Sequence, residues 1–172
     1  MPRTNPLIED LTRLRRELTA LSKMAVHVGV LGQAGSEMLI IANVHEYGAT
    51  IKVTPRMRAY LHYNGLHLKA DTETINIPER SYIRASYDTG QPELEKIVTN
   101  AINKVIQGKK TALQAMEEIG LLAAQMTRQF IGERKVTPQK RHPYTDARST
   151  QKTTLVDSGR LVESITFEVR GA

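Results

Sequence analysis

No cysteine occurs among the 172 residues, which excludes disulfides, thiolate metal sites and a cysteine nucleophile together. That absence fits assembly in a reducing cytoplasm. Tryptophan is missing too, and aromatic residues make up only 5% of the chain. The core must then be built from Leu, Ile, Val, Met and Ala, which favours helix packing over an aromatic-centred sandwich. No apolar run approaches the roughly 18 to 20 residues of a membrane helix, and Met1 to Asp10 holds no signal-peptide apolar block. The expectation is a soluble chain made in the cytoplasm, with no membrane partner. Acidic residues are in deficit: 18 Asp and Glu face 24 Lys and Arg, a formal charge of +6. A polyanion, either nucleic acid or an acidic protein face, is the partner class this raises.

What is present has helical and strand periods in alternation. Leu7, Leu11, Leu14, Leu18 and Leu21 share one face of a helix expected over about 5–23, with Asn5 as cap, Pro6 in the first turn and core packing as the simplest use of the stripe. Val26, Val28 and Val30 alternate as a strand over 24–31. A short helix is expected from Ser36, as cap, to Tyr47, stopped by Gly48, and a strand over 50–54 ends at Pro55. In 56–80, Leu66 and Leu68 alternate with polar residues as Ile75 and Ile77 do, predicting a hairpin turning near Asp71 to Glu73. Pro92 opens a helix to Gln107 with Leu94, Ile97, Val98, Ala101, Ile102, Val105 and Ile106 in register. Thr111 and Gln114 form a capping box for another helix to about Glu133, burying Leu113, Met116, Ile119, Ala123, Met126 and Phe130. The two are either a hairpin or one kinked helix. Ile165 to Val169 alternates as a last strand.

The fold class expected is α+β: a small, mostly antiparallel sheet packed against two long amphipathic helices, plus an N-terminal helix. The chain reads as one domain over 1–172. Its parts are the helix at 5–23, a strand-rich part with a hairpin at 24–90, a helical part at 91–133, a basic loop at 134–154, and a terminal turn and strand at 155–172.

Catalytic constellations fail one by one. His45-Glu46 is a tempting pair, but helix neighbours point apart and the spacing is not that of a zinc helix. His62 and His67, five apart across a glycine turn, imply no fixed geometry. No Gly-x-Ser-x-Gly elbow, complete dinucleotide fingerprint or phosphate loop occurs. The expectation is a non-enzyme with no catalytic residue, metal or cofactor. The basic loop survives this sweep: Arg134, Lys135, Lys140, Arg141, Arg148 and Lys152 stand against a single acid, Asp146. Those six are candidates for contact with DNA phosphates or an acidic neighbour, beside the simpler reading of a solvated loop.

Three segments, in order, carry a family resemblance. Ala42-Asn-Val-His-Glu-Tyr-Gly48 precedes a short strand, Ile77-Pro-Glu-Arg-Ser-Tyr-Ile-Arg84 precedes the long helices, and Leu155-Val-Asp-Ser-Gly-Arg-Leu-Val-Glu-Ser-Ile165 precedes the final strand. Together they resemble the neck and tail-completion proteins of long-tailed bacteriophages, including the virion-morphogenesis family of Mu-like phages and prophages, over about residues 24–170. Ser81 stands where that family commonly has Pro, and Ser158 where it has Thr. The resemblance makes His45, Glu46, Gly48, Pro78, Arg80, Arg84, Asp157, Ser158, Gly159, Leu161, Ser164 and Ile165 structural motif residues. Physically, Gly48 and Gly159 suit turns with positive φ, Asp157 or Ser158 suits a cap, and Arg80 and Arg84 suit docking by carboxylate pairing.

Membership implies a structural virion protein of the neck or head-proximal tail end, in the tail-terminator or an adjacent neck role. Such a protein completes the tail and joins it to the head, as a ring that is often hexameric. Its partners would be further copies of itself, tail-tube or sheath proteins and head-connector proteins, with genomic DNA passing transiently through the lumen. Assembly would take place in the bacterial host cytoplasm and the end location would be the virion. The alternative from another class is a basic DNA-binding module.

Overall fold

The computed structural model describes residues 6–138 and 153–171. The architecture is α+β, as the periodicities indicate. In chain order the elements are α1 (Pro6–Leu21), β1 (Met24–Val30), α2 (Ser36–Tyr47), β2 (Ala49–Lys52), α3 (Pro55–Tyr63), β3 (Thr74–Ile77), α4 (Ile83–Ile106), α5 (Ala112–Gly132), α6 (Arg160–Ser164) and β4 (Ile165–Gly171). The strands form two separate antiparallel ribbons rather than one sheet. In the first, β1 pairs with β4 from Met24↔Gly171 to Val30↔Ile165, so the first strand meets the last. In the second, β2 pairs with β3 from Ala49↔Ile77 to Lys52↔Thr74.

That second register corrects the expected hairpin. Ile75 and Ile77 do lie in a strand, but their partner is β2, and Leu66 and Leu68 lie in a loop. Helix α3 fills the space between: the Thr54 hydroxyl accepts from the Met57 N–H at 3.2 Å and Pro55 opens the helix. Arg58 then pins the loop, donating to the Lys69 and Thr72 carbonyls at 2.7 and 2.6 Å. A further correction concerns α2, whose cap position is Gly35 rather than Ser36, with no side-chain capping bond. The proposed cap Asn5 lies outside the described residues.

Helices α4 and α5 are two helices, not one kinked rod. Gly108, with φ +72°, sits past the end of α4. There its N–H reaches the Val105 carbonyl at 3.0 Å and the Lys109 N–H reaches the Lys104 carbonyl at 2.8 Å, a paired termination that the left-handed glycine permits. Three residues on, Thr111 and Gln114 close the expected capping box, at 3.3 Å and 3.0 Å. Helix α4 begins at Ile83, well before Pro92, which lies inside it. Pro92 has no N–H to offer the Asp88 carbonyl, a defect that a first-turn proline avoids. On α5, Ile119 and Phe130 are buried as expected and Met116 packs against the smaller cluster, but Leu113 is exposed, and Ala112, Ala115, Ala124 and Ile131 are buried beside the expected stripe.

The core has two parts. Met38, Ala42, Tyr82, Ala124, Phe130, Ile131, Val136, Leu161 and Ile165 join α2, the start of α4, the second half of α5 and the β1–β4 ribbon. Ala101, Val105, Ala115 and Ile119 form a smaller cluster between α4 and α5. The ribbon lies so close on α5 that a Cβ at Gly120 would stand 2.3 Å from Phe167 Cδ2.

Helix α1 forms where the leucine period places it, but of that stripe only Leu21 packs against the core, on the smaller cluster. Its anchors are polar: Arg13 donates to the Val105 and Ile106 carbonyls at 3.2 and 3.3 Å, and the Ala112 N–H donates to the Glu17 carboxylate at 2.7 Å. Arg13 thus serves the Ile106 carbonyl at the end of α4 and adds a second donor to the Val105 carbonyl, which already takes the Gly108 N–H, and Glu17 serves an orphan N–H at the start of α5. Leu7, Leu11 and Leu18 are left 65%, 57% and 44% exposed.

Candidate functional site

The three motif segments meet on α2. Glu46, on its last turn, is 4% exposed and reaches the first turn of α4. Its Oε2 accepts from the backbone N–H groups of Tyr82 at 2.8 Å and Ile83 at 3.0 Å. Its Oε1 accepts from the Ser81 hydroxyl at 2.8 Å, the Arg84 N–H at 3.1 Å and the Arg84 Nε at 3.1 Å. The carboxylate is therefore the remote cap of α4, satisfying N–H groups that the helix cannot satisfy itself. Burial pushes its pKa up, but the hydrogen bonds from Ile83, Arg84, Ser81 and Tyr82 outweigh burial and hold it below the usual range.

Around that pair the other motif residues take structural posts. Arg84 also donates to the Glu46 carbonyl at 3.0 Å and to Glu79 at 2.8 Å, and its guanidinium lies 4.7 Å from the Tyr47 ring centroid. Arg80 is buried, giving its N–H to the His45 carbonyl at 2.7 Å and its Nε to the Pro138 carbonyl at 3.2 Å. The expected docking by carboxylate pairing is thus satisfied inside the chain for Arg84, and Arg80 is turned inward. Gly48, at φ +74°, lets the backbones touch: a Cβ there would stand 2.9 Å from the Glu79 nitrogen. Pro78 follows β3 and leads the chain into this contact.

The third segment covers the other side of α2. Met38, Ile41 and His45 face Leu155, Asp157, Ser158 and Leu161 across a cleft of about 340 Å³. Gly159, at φ +84°, holds the cap position of α6, with neither Asp157 nor Ser158 supplying the capping bond expected of them. Leu161 and Ile165 are buried, and the Ser164 hydroxyl donates back to the Leu161 carbonyl at 2.7 Å. The His45 Nδ1 is buried without a hydrogen-bond partner. Burial, then the nearby Arg80 charge, hold its pKa below the ordinary histidine value.

This arrangement positions backbone. Five donors surround the Glu46 carboxylate, which has about four lone-pair positions, so it has none spare to take a proton from a substrate. Among the described residues no group of three or more His, Asp and Glu side chains is placed to hold a metal ion. His62 and His67 do touch, Nδ1 to Nδ1 at 2.7 Å, a fixed geometry that their spacing across Gly65 does not announce. Also among the described residues, no helix is long and apolar enough to cross a membrane.

No family model, curated protein or solved structure matches this chain.

Of the six basic candidates, Lys140, Arg141, Arg148 and Lys152 lie outside the described residues. Arg134 stands just past α5 in the left-handed conformation, φ +59°. Its N–H reaches the Ile131 carbonyl at 3.0 Å, and the Lys135 N–H reaches that of Phe130 at 3.2 Å, so both residues close the helix end. The Lys135 ammonium pairs with Glu133 at 2.6 Å. The residues that sequence reasoning missed are Ser81 and Glu79, which complete the Glu46–Arg84 node, and Glu17. The only local signal for Glu17 is its place beside the leucine stripe.

Proposed function

We propose that this chain is a structural protein of a long-tailed bacteriophage, working in the neck or at the head-facing end of the tail as a ring built from copies of itself. The observation that carries the reading is convergence. Three segments that resemble the phage family, far apart in sequence, come together at one helix, two of them joined through the Glu46 node and the third against the other side of α2, and the Glu46 carboxylate is occupied in holding the first turn of α4. Motif residues employed in this way belong to a protein whose work is done by its surfaces. In a ring those surfaces form heterologous contacts that close by rotation. The tail tube or sheath would lie on one side, the head connector on the other, and DNA in the lumen.

The test is location. Virions purified from the strain carrying this gene are expected to contain the chain, with gold-labelled antibody at the head–tail junction in electron micrographs. Label elsewhere, or particles without the chain, would overturn the reading.

A further inference from the structure

Among the described residues two apolar features lie uncovered, and they complement each other. The first is the outer face of α1, where Leu7, Leu11 and Leu18 are largely exposed and Leu14 is half-buried. These residues fall at i, i+4, i+7 and i+11, the anchor spacing with which a helix enters a groove. The second is a groove of about 470 Å³ between β1, α4 and α5, walled by Val26, Val28, Leu94, Val98, Ile119 and Met126. Its size lies in the ~300–1,000 Å³ range of clefts that enclose apolar groups. The charges match as well. Asp88 and Arg84 are the charged residues on the lining of the groove; Arg84 is already paired with Glu46 and Glu79, whereas Asp88, and Arg15 beside the α1 leucines, have no ion-pair partner among the described residues.

The chain cannot fill its own groove with its own α1. Arg13 and Glu17 anchor that helix to Val105, Ile106 and Ala112. Val105 lies about 25 Å along α4 from Asp88, at 1.5 Å rise per residue. Nor does the stretch 139–152 suit the groove: it is polar and basic, with Tyr144 its one large apolar side chain.

We infer that the leucine face of α1 in one copy seats in the β1–α4–α5 groove of a second copy, with Arg15 directed at Asp88. The two surfaces differ, so each contact leaves one α1 and one groove open, and the contact repeats until a ring closes. The inference rests on the assembly reading above for the purpose of that ring.

The full chain is to be studied by sedimentation velocity and native mass spectrometry up to its solubility limit, with thermal melts to show that variants fold. Wild type is expected to associate. Leu11→Arg, Leu18→Arg and Asp88→Arg, all at exposed positions, are expected to weaken association by at least tenfold. The charge exchange Arg15→Asp with Asp88→Arg in one chain is expected to restore it. A mixture of Leu11→Arg with Asp88→Arg is expected to stop at pairs, because only one intact contact can form.

A monomeric wild type would overturn the inference, as would unchanged association in Leu11→Arg. Loss in Leu11→Arg with none in Asp88→Arg would also overturn it, because α1 faces would then be meeting each other. The two readings fail separately. Virions holding the chain at the junction with Leu11→Arg assembling normally would defeat only the contact, whereas the expected association in solution with virions lacking the chain would defeat only the virion role.

Discussion

Replacing Glu46 by Ala removes the acceptor for three backbone N–H groups at the start of α4, for the Ser81 hydroxyl and for the Arg84 Nε. A buried donor left unsatisfied costs about 1–3 kcal/mol, whereas Arg84 is half-exposed and water can solvate its charge, so losing its pair with Glu46 adds at most about 1 kcal/mol. These losses overlap, since water can enter the vacated space and Arg84 keeps Glu79 as a partner. From the three backbone N–H groups a net loss of about 3–5 kcal/mol is expected, which at ~2–4 °C per kcal/mol lowers Tm by roughly 6–20 °C. Glu46→Gln keeps one oxygen but turns an amide N–H₂ toward donors, so it should fall between Glu46→Ala and wild type.

The sign with pH follows from the lowered carboxylate pKa. The charged form contributes stability above the ordinary Glu value of 4.5, and that contribution is lost as pH falls from there through the lowered folded value. Urea unfolding from pH 7 to pH 3 should show wild type losing stability on acidification, with a shallower slope in Glu46→Gln. Glu17 and Glu118 carry shifts of the same direction, so the slope should shrink rather than vanish. A loss below about 1 kcal/mol in Glu46→Ala, or an unchanged acid slope in Glu46→Gln, would refute the claim that this carboxylate holds α4 in place.

Further outcomes follow from other residues. His45 is held neutral by burial, so the unfolded chain takes up its proton first and stability should fall as pH drops below the ordinary histidine value of 6.5. His45→Gln should flatten that limb in urea titrations. Gly120→Val should cost about 2 kcal/mol or more by overpacking against Phe167. Phe167→Leu should recover part of this in a double-mutant cycle, and strict additivity would contradict the close approach. Thr111→Ala should lose about 1 kcal/mol with the capping box.

The parts of the fold legible in the residues are those whose signal is local. The alternating valines of β1, the Thr111–Gln114 box and the stop at Gly48 each lie within or directly beside the element they define. The start of α4 is not legible, because Arg84 to Gln91 shows little apolar period and Pro92 imitates a first turn. The acceptor that begins this helix comes from Glu46, 36 residues before Tyr82. The pairing of β2 with β3 is hidden for a similar reason, since a nine-residue helix lies between them. For α1 the period is right and its use is not: Arg13 and Glu17 find orphan backbone groups, and their hydrogen bonds decide which face turns inward. At the site, the motif glycines and Glu46 are visible as a pattern, but their convergence needs the fold. Nothing in the spacing of Ala42–Gly48, Ile77–Arg84 and Leu155–Ile165 places all three on α2.

The most direct test of the central claim is to delete the gene from the genome that carries it, apply a phage-inducing treatment and image the lysate by electron microscopy. The account predicts DNA-filled heads and separate tails that fail to join, with joining restored by the gene supplied in trans. Intact, infectious virions at wild-type yield in the deletion would contradict it.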